Sequence, residues 1–250
     1  YPGIRSDSDM HTMGYSFKPW RSKKAIADGP AILAYLQETA QEFDIDDMIR
    51  YQHSVSKANW CREHAYWEVT VQRPHGEQTL RCRFLYLCAG YYSYEKGYTP
   101  DFPDAERFEG PIIHPQHWPD SLDYANKQVV IIGSGATAIT LLPSMSTTAR
   151  HVTMLQRSPT YLFSWPDQDR IANILNRVLP DTLAYRLTRR KNIVAQQMFY
   201  RLSQHYPERT KQNLVNQVRK QLGPKFDIAT HFTPTYNPWQ QRLCLTPNGD

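Results

Sequence analysis

The chain has 250 residues, a mass of 29.2 kDa and 40% hydrophobic residues, which suffices for the core of one large or two modest globular domains. No apolar run approaches the roughly 20 residues that span a bilayer, and the N-terminus lacks the regions of a secretory signal. Four cysteines lie without metal-ligand spacing, so we expect no metal site, no disulfide framework and a reducing, cytoplasmic setting. Because the first residue is Tyr1 rather than methionine, we expect the chain to be part of a longer protein.

The first hundred residues predict a helix followed by a three-stranded meander. From Asp28, a polar N-cap residue, a proline in the first turn and apolar residues at near-helical spacing predict the helix. Strands are predicted around residues 50–59, 66–72 and 81–89, with RPHGEQ as the turn between the last two. Together these strands predict an antiparallel sheet that ends in the sequence FLYLCAGYY.

The run QVVIIGSGATAITLLP passes from a strand to a helix through a glycine turn. Gly133 permits the tight turn, Gly135 lets the backbone approach a pyrophosphate, and small Ala138 lets helix and strand pack closely. The N-terminus of such a helix also favours anions. Since HVTMLQRS supplies the next strand, the pattern predicts a βαβ unit of a Rossmann-like domain. The alternative is a glycine turn without a ligand.

The end of the second strand indicates which dinucleotide to expect. An acidic residue at this position binds the ribose 2′-hydroxyl of NAD or FAD, but the sequence has Gln156, Arg157 and Ser158. A guanidinium and a hydroxyl, with no carboxylate to repel an anion, favour the 2′-phosphate of NADPH. The alternative is that Arg157 is an ordinary surface charge.

Residues 171–222 predict several basic amphipathic helices, because apolar residues recur at three- and four-residue spacing and are interrupted by Pro180 and Pro207. Most of the excess positive charge lies in this segment. We interpret it as a solvated face and expect no nucleic-acid partner, while peripheral contact with the inner face of the cell membrane stays open. The segment from His231 onward is predicted to be irregular.

The loop FEGPIIHPQHWPD, which precedes the glycine turn, carries a second pattern. Phe108, Gly110, His114, Trp118 and Pro119 resemble the FxGxxxHxxxWP fingerprint of Baeyer–Villiger monooxygenases, a family that uses FAD and NADPH. The resemblance implies that this loop links the FAD and NADPH domains and that the histidine has a positioning role. It covers essentially the whole chain, and YPGIRSDSDMHTMGYSF and YNPWQQRLCLTPNGD are similar to the ethionamide-activating branch.

The resemblance implies two catalytic side chains. Arg242 is expected to reach the reactive face of the flavin, and Asp7 is expected to lie beside the flavin and to orient the arginine. A guanidinium in a partly desolvated site also needs a counter-charge, and a carboxylate can hold its fork in one orientation. We therefore expect Asp7 and Arg242 to form a charge pair.

The resemblance also implies a set of cofactor contacts. Val55 and Gly90 are expected near FAD together with Asp7, although Gly90 can also be read as a plain strand terminus. Contacts to NADP are expected from the N-terminal segment, the glycine turn with its helix, and the strand end. These residues are Arg5, Ser6, Asp7, Gly133, Ser134, Gly135, Ala136, Thr137, Ala138, Ile139, Thr140, Arg157 and Ser158.

Two positions depart from the family pattern. Gln241 stands where many Baeyer–Villiger enzymes have a lysine for the 2′-phosphate, so selectivity for NADPH would depend more on Arg157 and Ser158. The FAD fingerprint, a GxGxxG, is absent from the 250 residues, and in the family it would lie before Tyr1.

The predicted fold is α/β, a partial two-dinucleotide-binding-domain flavoprotein with a helical insert. Residues 1–125 are expected to form the back half of an FAD-binding domain, including the meander and the fingerprint loop. Residues 126–165 and 232–250 are expected to form an NADPH-binding Rossmann domain, and residues 166–231 the insert. No oligomeric state is indicated.

The resemblance implies a monooxygenase that uses O2 to oxygenate a ketone, or a sulfur atom in a thioamide or sulfide, through a C4a-peroxyflavin. One alternative is an enzyme that oxygenates only nitrogen or sulfur, which Trp118 and Pro119 argue against. The other alternative is a non-catalytic NADP-binding module that senses redox state.

Overall fold

The structure is a computed structural model that describes residues 1–249. One compact unit contains residues 36–114, and a second contains residues 1–35 together with the residues from 115 onward. The helices, in chain order, are α1 (Met10–Met13), α2 (Gly29–Glu42), α3 (Ala136–Ser146), α4 (Arg170–Val178), α5 (Asp181–His205), α6 (Pro207–Leu222) and α7 (Ile228–Phe232). The strands are β1 (Ser54–Cys61), β2 (Tyr66–Arg73), β3 (Gly76–Cys82), β4 (Gln128–Ile132), β5 (His151–Leu155), β6 (Tyr161–Trp165) and β7 (Leu243–Pro247).

The unit of residues 36–114 is built on an antiparallel sheet in the order β1-β2-β3. Trp60 of β1 lies opposite Trp67 of β2, and their rings meet edge to face with centroids 5.5 Å apart. Val69 and Val71 of β2 are buried, because alternate residues of a strand point to the same face of its sheet. The predicted meander is confirmed.

The third strand begins earlier than predicted, at Gly76 rather than Arg81. Gly76 pairs with Arg73 across a two-residue turn, and the following residues continue this register. The prediction that the strand extends to residue 89 is wrong: Phe84 and Tyr86 are 91% and 90% exposed and lie outside any strand. A strand needs a neighbour to satisfy its backbone groups, and this segment has none among the described residues.

In the second unit, β4, the glycine turn, α3 and β5 form the predicted βαβ unit. β4 and β5 are parallel, with Val129 opposite Val152. The buried residues between the sheet and the helix are Ile131, Ala138, Leu141 and Met145. Small Ala138 therefore occupies the position of close packing that the pattern predicts.

A second parallel pair joins β6 to β7, with Leu162 opposite Cys244. The prediction that the chain is irregular after His231 is wrong for Leu243–Pro247. β7 is a strand because it pairs with β6, and that pairing depends on residues far earlier in the chain. Tyr161 of β6 is buried, and its hydroxyl donates to the carbonyl of Tyr236 at 2.7 Å.

The helices α4, α5 and α6 fill the segment that the sequence assigns to an insert. Pro180 precedes α5 and Pro207 is the first residue of α6, so the helices break at the predicted prolines. Asp9 caps α1 and accepts hydrogen bonds from Asn192 and Gln196 of α5, which fixes α1 against that helix. Within residues 1–249, no helix is both long and apolar enough to cross a membrane.

Candidate functional site

The glycine turn between β4 and α3 has the backbone geometry that the sequence predicts. Gly133 has a φ of +137°, which L side chains rarely adopt, and its N–H donates to the carbonyl of Leu155 at 2.9 Å. This bond ties the turn to the end of β5. A Cβ atom on Gly135 would meet no heavy atom within 4 Å, so the space in front of the turn is open to a ligand.

The N-terminus of α3 can receive an anion. Gly135 is the N-cap and provides no capping side chain, and the first N–H groups of a helix have no acceptor within it. The first amide bonded within α3 is that of Ile139, which donates to the carbonyl of Gly135 at 3.0 Å. The side chains of Ala138 and Ile139 are buried. Contacts from this turn to a nucleotide would therefore come from the backbone N–H groups, including those of Ala136 and Thr137.

Arg157 and Ser158, which follow β5, differ in their surroundings. Arg157 is exposed and forms no hydrogen bond or ion pair with any residue in the part of the chain that the structure describes. Ser158 is half-buried, and its carbonyl accepts a hydrogen bond from Ser134 Oγ at 3.0 Å. An exposed cation beside an open turn and a helix N-terminus is the chemistry that a 2′-phosphate and a pyrophosphate require.

The guanidinium of Arg242 contacts the same strand end. A terminal nitrogen donates to Ser158 Oγ at 2.9 Å and lies 3.5 Å from the carbonyl of Ser158, and Nε lies 3.4 Å from Thr160 Oγ1. The carbonyl of Arg242 accepts from the hydroxyl of Tyr236 at 2.8 Å. The arginine is thus held through both its side chain and its backbone.

The charges of Asp7 and Arg242 both affect the pKa of the buried Cys244 thiol. Burial raises the pKa of Cys244; the Asp7 carboxylate also raises it, whereas a hydrogen bond with Thr160 and the Arg242 guanidinium lower it. Burial raises the pKa of Asp7 as well, and Arg5 opposes this shift. No ion pair joins Asp7 to Arg242 within residues 1–249. The charge pair of Asp7 and Arg242 stays a prediction.

The N-terminal segment that contains Asp7 packs on α3. Gly3 lies against Thr140 and Ser144, and a Cβ atom on this glycine would be 1.9 Å from Ser144 Oγ. Ser6 exchanges two hydrogen bonds with Ala27, since its N–H donates to the carbonyl at 2.8 Å and its hydroxyl accepts from the amide at 3.0 Å. The contacts of Gly3 place the segment beside α3, and the bonds of Ser6 tie it to Ala27.

The fingerprint loop crosses the division between the two compact units. Phe108, Gly110 and His114 belong to the unit of residues 36–114, and Trp118 belongs to the other. A Cβ atom on Gly110 would lie 2.7 Å from the Phe108 ring, and one on Gly97 would lie 2.0 Å from the His114 ring. Trp118 packs against the core of α3. Phe108 and His114 thus pack their rings directly on glycines.

Two residues expected near FAD lie in the unit of residues 36–114. Val55 is 54% exposed at a register shift in β1. Gly90 has a φ of +70° and open space in front of it. Their contacts with FAD stay predictions. The structure shows no group of three or more His, Cys, Asp or Glu that could hold a metal ion in residues 1–249.

Sequence reasoning missed three residues around Arg242, namely Thr160, Tyr236 and Cys244. Thr160 is only 3% exposed, and its hydroxyl lies within hydrogen-bond distance of the hydroxyl of Tyr236, at 3.3 Å. Along β7 the two leucines are only half-buried, while Cys244 and Thr246 are buried, so the apolar residues of the sequence do not mark the buried face. No local pattern reveals that β6 is the neighbour of β7.

Comparison with known proteins identifies a family. A family model described as flavin-binding monooxygenase-like matches residues 19–228. The FAD-containing monooxygenase EthA of Mycobacterium tuberculosis (strain ATCC 25618 / H37Rv) is 52% identical over 251 residues, which cover 100% of this chain and 51% of the relative. The chain spans about half the length of the curated relatives it matches.

Two solved structures resemble this one. "Oxidized steroid monooxygenase bound to NADP" is 34% identical with a TM-score of 0.57, over 66% of this chain and 32% of that one. "Crystal Structure of OTEMO complex with FAD and NADP (form 1)" has a TM-score of 0.76 at 19% identity, over 100% of this chain and 54% of that one. The second likeness shows the fold alone, and it confirms the predicted α/β fold class.

Proposed function

Because the chain belongs to the flavin-binding monooxygenase-like family, we propose that it is part of an FAD- and NADPH-dependent monooxygenase that transfers one oxygen atom from O2 to a small organic substrate. The observation that carries this proposal is the open glycine turn with Arg157 exposed at the adjacent strand end. Support also comes from a relative named FAD-containing monooxygenase and from a similar structure described as bound to NADP.

The residues at the turn fit an NADP nucleotide. The backbone N–H groups at the start of α3 would hold the pyrophosphate, since no side chain caps them and no atom fills the space before Gly135. Arg157 and Ser158 would hold the 2′-phosphate through charge-assisted hydrogen bonds. Val55 and Gly90 are proposed contacts to FAD, which supplies the redox chemistry when bound.

Arg242 is the proposed catalytic cation. Its side chain would hold positive charge against the negative charge that develops on oxygen during transfer, and a preorganised charge of this kind is a large source of rate enhancement. Asp7 would orient the guanidinium. The hydrogen bonds that hold the Arg242 guanidinium at Ser158 and Thr160 support this assignment.

The proposed substrate is a ketone or a compound with an oxidisable sulfur atom. Trp118 in the fingerprint loop supports ketone oxygenation, because related enzymes that oxygenate only nitrogen or sulfur usually have another aromatic residue at this position. Product analysis with a cyclic ketone and with a thioamide separates these activities. Sulfur oxygenation without any ester or lactone product would favour the narrower activity.

The decisive experiment follows flavin absorbance in the full-length protein after mixing with NADPH or NADH. We expect kcat/KM for NADPH to exceed that for NADH at least tenfold, because charge-assisted hydrogen bonds contribute about 1.5 to 3 kcal/mol each and about 1.4 kcal/mol corresponds to tenfold. Arg157→Ala should remove most of this preference. Arg150→Ala is the matched control, since that arginine is also exposed and lies just before β5.

Equal kcat/KM values for the two nucleotides would contradict the proposed cofactor. A full-length protein without flavin absorbance that still binds NADP+ would instead identify a redox-sensing module. Unchanged preference in Arg157→Ala would show that the guanidinium does not contact the 2′-phosphate.

We further propose that the protein works at the inner face of a membrane, held there by its basic helices. Residues 170–225 contain twelve Lys and Arg but only two Asp and Glu, a net charge of +10. Ile171, Ile174 and Val178 of α4 are 55%, 58% and 68% exposed beside Arg170 and Arg177. Apolar side chains flanked by arginines suit the surface of an anionic bilayer.

A further inference from the structure

The carboxylate of Asp7 lies in a bend that is formed by Asp7 and Ser8. Just before the bend, Ser6 exchanges two hydrogen bonds with Ala27, which fix the backbone there. The Asp7 side chain itself accepts no hydrogen bond from any residue between 1 and 249. The orientation of this carboxylate therefore depends on how the chain is held on either side of the bend.

Asp9 holds the chain after the bend, and both oxygens of its carboxylate are used. Oδ1 accepts from the amide of Thr12 at 2.9 Å, which caps α1, and from Asn192 Nδ2 at 2.8 Å. Oδ2 accepts from Thr12 Oγ1 at 2.8 Å and from Gln196 Nε2 at 2.9 Å. Because Asn192 and Gln196 are about one turn apart on α5, one face of that helix holds the carboxylate.

The short helix α1 is also fixed against its surroundings. Met10 and His11 are only 4% and 3% exposed, and the N–H of Met10 donates to the carbonyl of Ala25 at 2.8 Å. At the other end of α1, the guanidinium of Arg189 on α5 donates to the carbonyl of Thr12. The contacts of Asp9 therefore join the bend to a part of the chain that is itself firmly held.

We propose that Asn192 and Gln196 are positioning residues for oxygenation, because they hold Asp9 and thereby set the orientation of the bend. This inference rests on the proposed function, in which Asp7 orients Arg242. Without the two amide contacts, the chain is held at Ser6 and next by the backbone of α1, so the Asp7 carboxylate can take more orientations. The helical segment thus contributes to the reaction although it belongs to neither proposed cofactor site.

The test measures product formation by the flavin-loaded, full-length enzyme. Asp9→Ser keeps a good N-cap for α1, but its single, shorter hydroxyl cannot hold both amides of α5. Asp9→Ser and the double variant Asn192→Ala/Gln196→Ala should each lower kcat about tenfold, since small misplacements of a group that acts in the reaction are costly. KM for NADPH and flavin content should change by less than about twofold, because the cofactor contacts are untouched.

Gln197→Ala is the matched control for the α5 variants. Gln197 has the same side chain as its neighbour Gln196, is exposed, and forms no hydrogen bond within residues 1–249. Its replacement should leave kcat unchanged. A loss of kcat in Gln197→Ala equal to that in Asn192→Ala/Gln196→Ala would show that any change in α5 disturbs the enzyme, and it would overturn the assignment.

The decisive comparison places Asp9→Ser in the Asp7→Asn background. If α5 acts through Asp7, this double variant should be no slower than Asp7→Asn alone, because residues that act through one contact are not additive. A defect of Asp9→Ser that multiplies with that of Asp7→Asn would indicate a general structural role. That result, or an unchanged kcat in Asn192→Ala/Gln196→Ala, would overturn this inference and leave the proposed function intact. A wild-type enzyme that forms no oxygenated product would overturn both.

Discussion

At the scale of single residues, the surroundings of Arg242 hold its guanidinium in place without an ion pair among residues 1–249. Its guanidinium bonds to the hydroxyls of Ser158 and Thr160, and it has no ion-pair partner within residues 1–249. The charge of Asp7 raises the pKa of the Cys244 thiol, and burial raises the pKa of the Asp7 carboxyl group. The positive charge is therefore held in place and remains available for an anion, as the proposed catalytic role requires.

Removal of this charge is expected to abolish most oxygenation. Arg242→Ala should lower the rate of product formation on the order of 100-fold or more, the usual effect of removing a preorganised electrostatic group. Asp7→Asn should be milder, since it removes the orienting charge and leaves the guanidinium. Both variants are assayed by product yield per NADPH consumed, with flavin content as the control. Oxygenation at the wild-type rate in Arg242→Ala would refute the assignment.

A second residue-scale prediction concerns the contact between Gly97 and the His114 ring. Gly97→Ala would place a methyl group 2.0 Å from that ring, so it should displace the histidine and cost about 1–3 kcal/mol as an overpacked site. His114→Ala and Gly97→Ala should both slow flavin reduction by NADPH in stopped-flow experiments while FAD remains bound.

The double variant Gly97→Ala/His114→Ala provides the control for this contact. It removes the ring that the added methyl would strike, so its Tm should equal that of His114→Ala alone. A Gly97→Ala variant with wild-type Tm and reduction rate would show that the histidine does not pack on the glycine. Loss of flavin from His114→Ala would indicate that the loop serves FAD binding instead.

The sequence predicts the residues of the glycine turn but not those that hold Arg242. Gly133 and Gly135 are predictable because their roles depend on backbone geometry within one short segment. The contact between Ser158 and Arg242 joins residues 84 positions apart, and no local pattern specifies such a pair. For the same reason the expected link from Asp7 to Arg242 rests on a family resemblance and not on spacing.

At the scale of elements, Asp169 joins α4 to α5. Its carboxylate accepts from the amide of Ala172 at 2.9 Å as the N-cap of α4, and it pairs with Lys191 of α5. Burial lowers the pKa of His11 of α1, and the negative charge of Asp169 opposes this shift. Burial alone would raise the pKa of Asp169, but the bonds from Ala172 and Lys191 outweigh it and lower that pKa.

This arrangement predicts a pH-dependent contribution to stability. Because the folded-state pKa of Asp169 lies below its unfolded value, the contribution is present above the unfolded pKa and is lost as the pH falls through the folded pKa. Asp169→Asn keeps a good N-cap and loses the pair with Lys191, whereas Asp169→Ala loses both, at about 1 kcal/mol for the cap. The Tm should therefore rank wild type, then Asn, then Ala.

Thermal unfolding of the three proteins between neutral and acid pH measures this effect. The Tm difference between the wild type and Asp169→Asn should shrink as the pH falls below about 4, the ordinary range for an unfolded Asp. A difference that is constant across this range would show that the ionised carboxylate contributes nothing. Equal Tm values for the Asn and Ala variants would show that the cap does not stabilise α4.

Helices and the βαβ unit are more predictable from this sequence than its other strands. Pro180 and Pro207 mark helix boundaries because proline cannot donate a backbone hydrogen bond. β3 and β7 depend on partners: the register with Arg73 sets the start of β3, and pairing with β6 makes Leu243–Pro247 a strand. Apolar composition alone wrongly predicts a strand through Phe84, where the described residues provide no neighbour.

At the scale of the whole molecule, positive charge is concentrated in the helical segment. Residues 170–225 carry a net charge of +10, while the rest of the chain has 17 Lys and Arg against 22 Asp and Glu, a net charge of −5. The total of +5 therefore conceals two regions of opposite sign. A separation of this kind orients a molecule at a charged surface, because the basic segment is attracted and the remainder is repelled.

The last prediction tests this orientation with lipid vesicles. The full-length protein should sediment with vesicles that contain anionic lipid and not with purely zwitterionic ones, and added salt should weaken the binding because it screens surface charge. Arg170→Gln/Arg177→Gln should weaken binding roughly tenfold or more, since each basic residue near an anionic surface contributes about 1 kcal/mol. The control Lys57→Gln/Arg62→Gln removes the same charge from exposed residues outside the segment and should have little effect. Equal weakening by both pairs would show that net charge, rather than the face of α4, determines binding, and equal sedimentation with both kinds of vesicle would contradict an electrostatic contact.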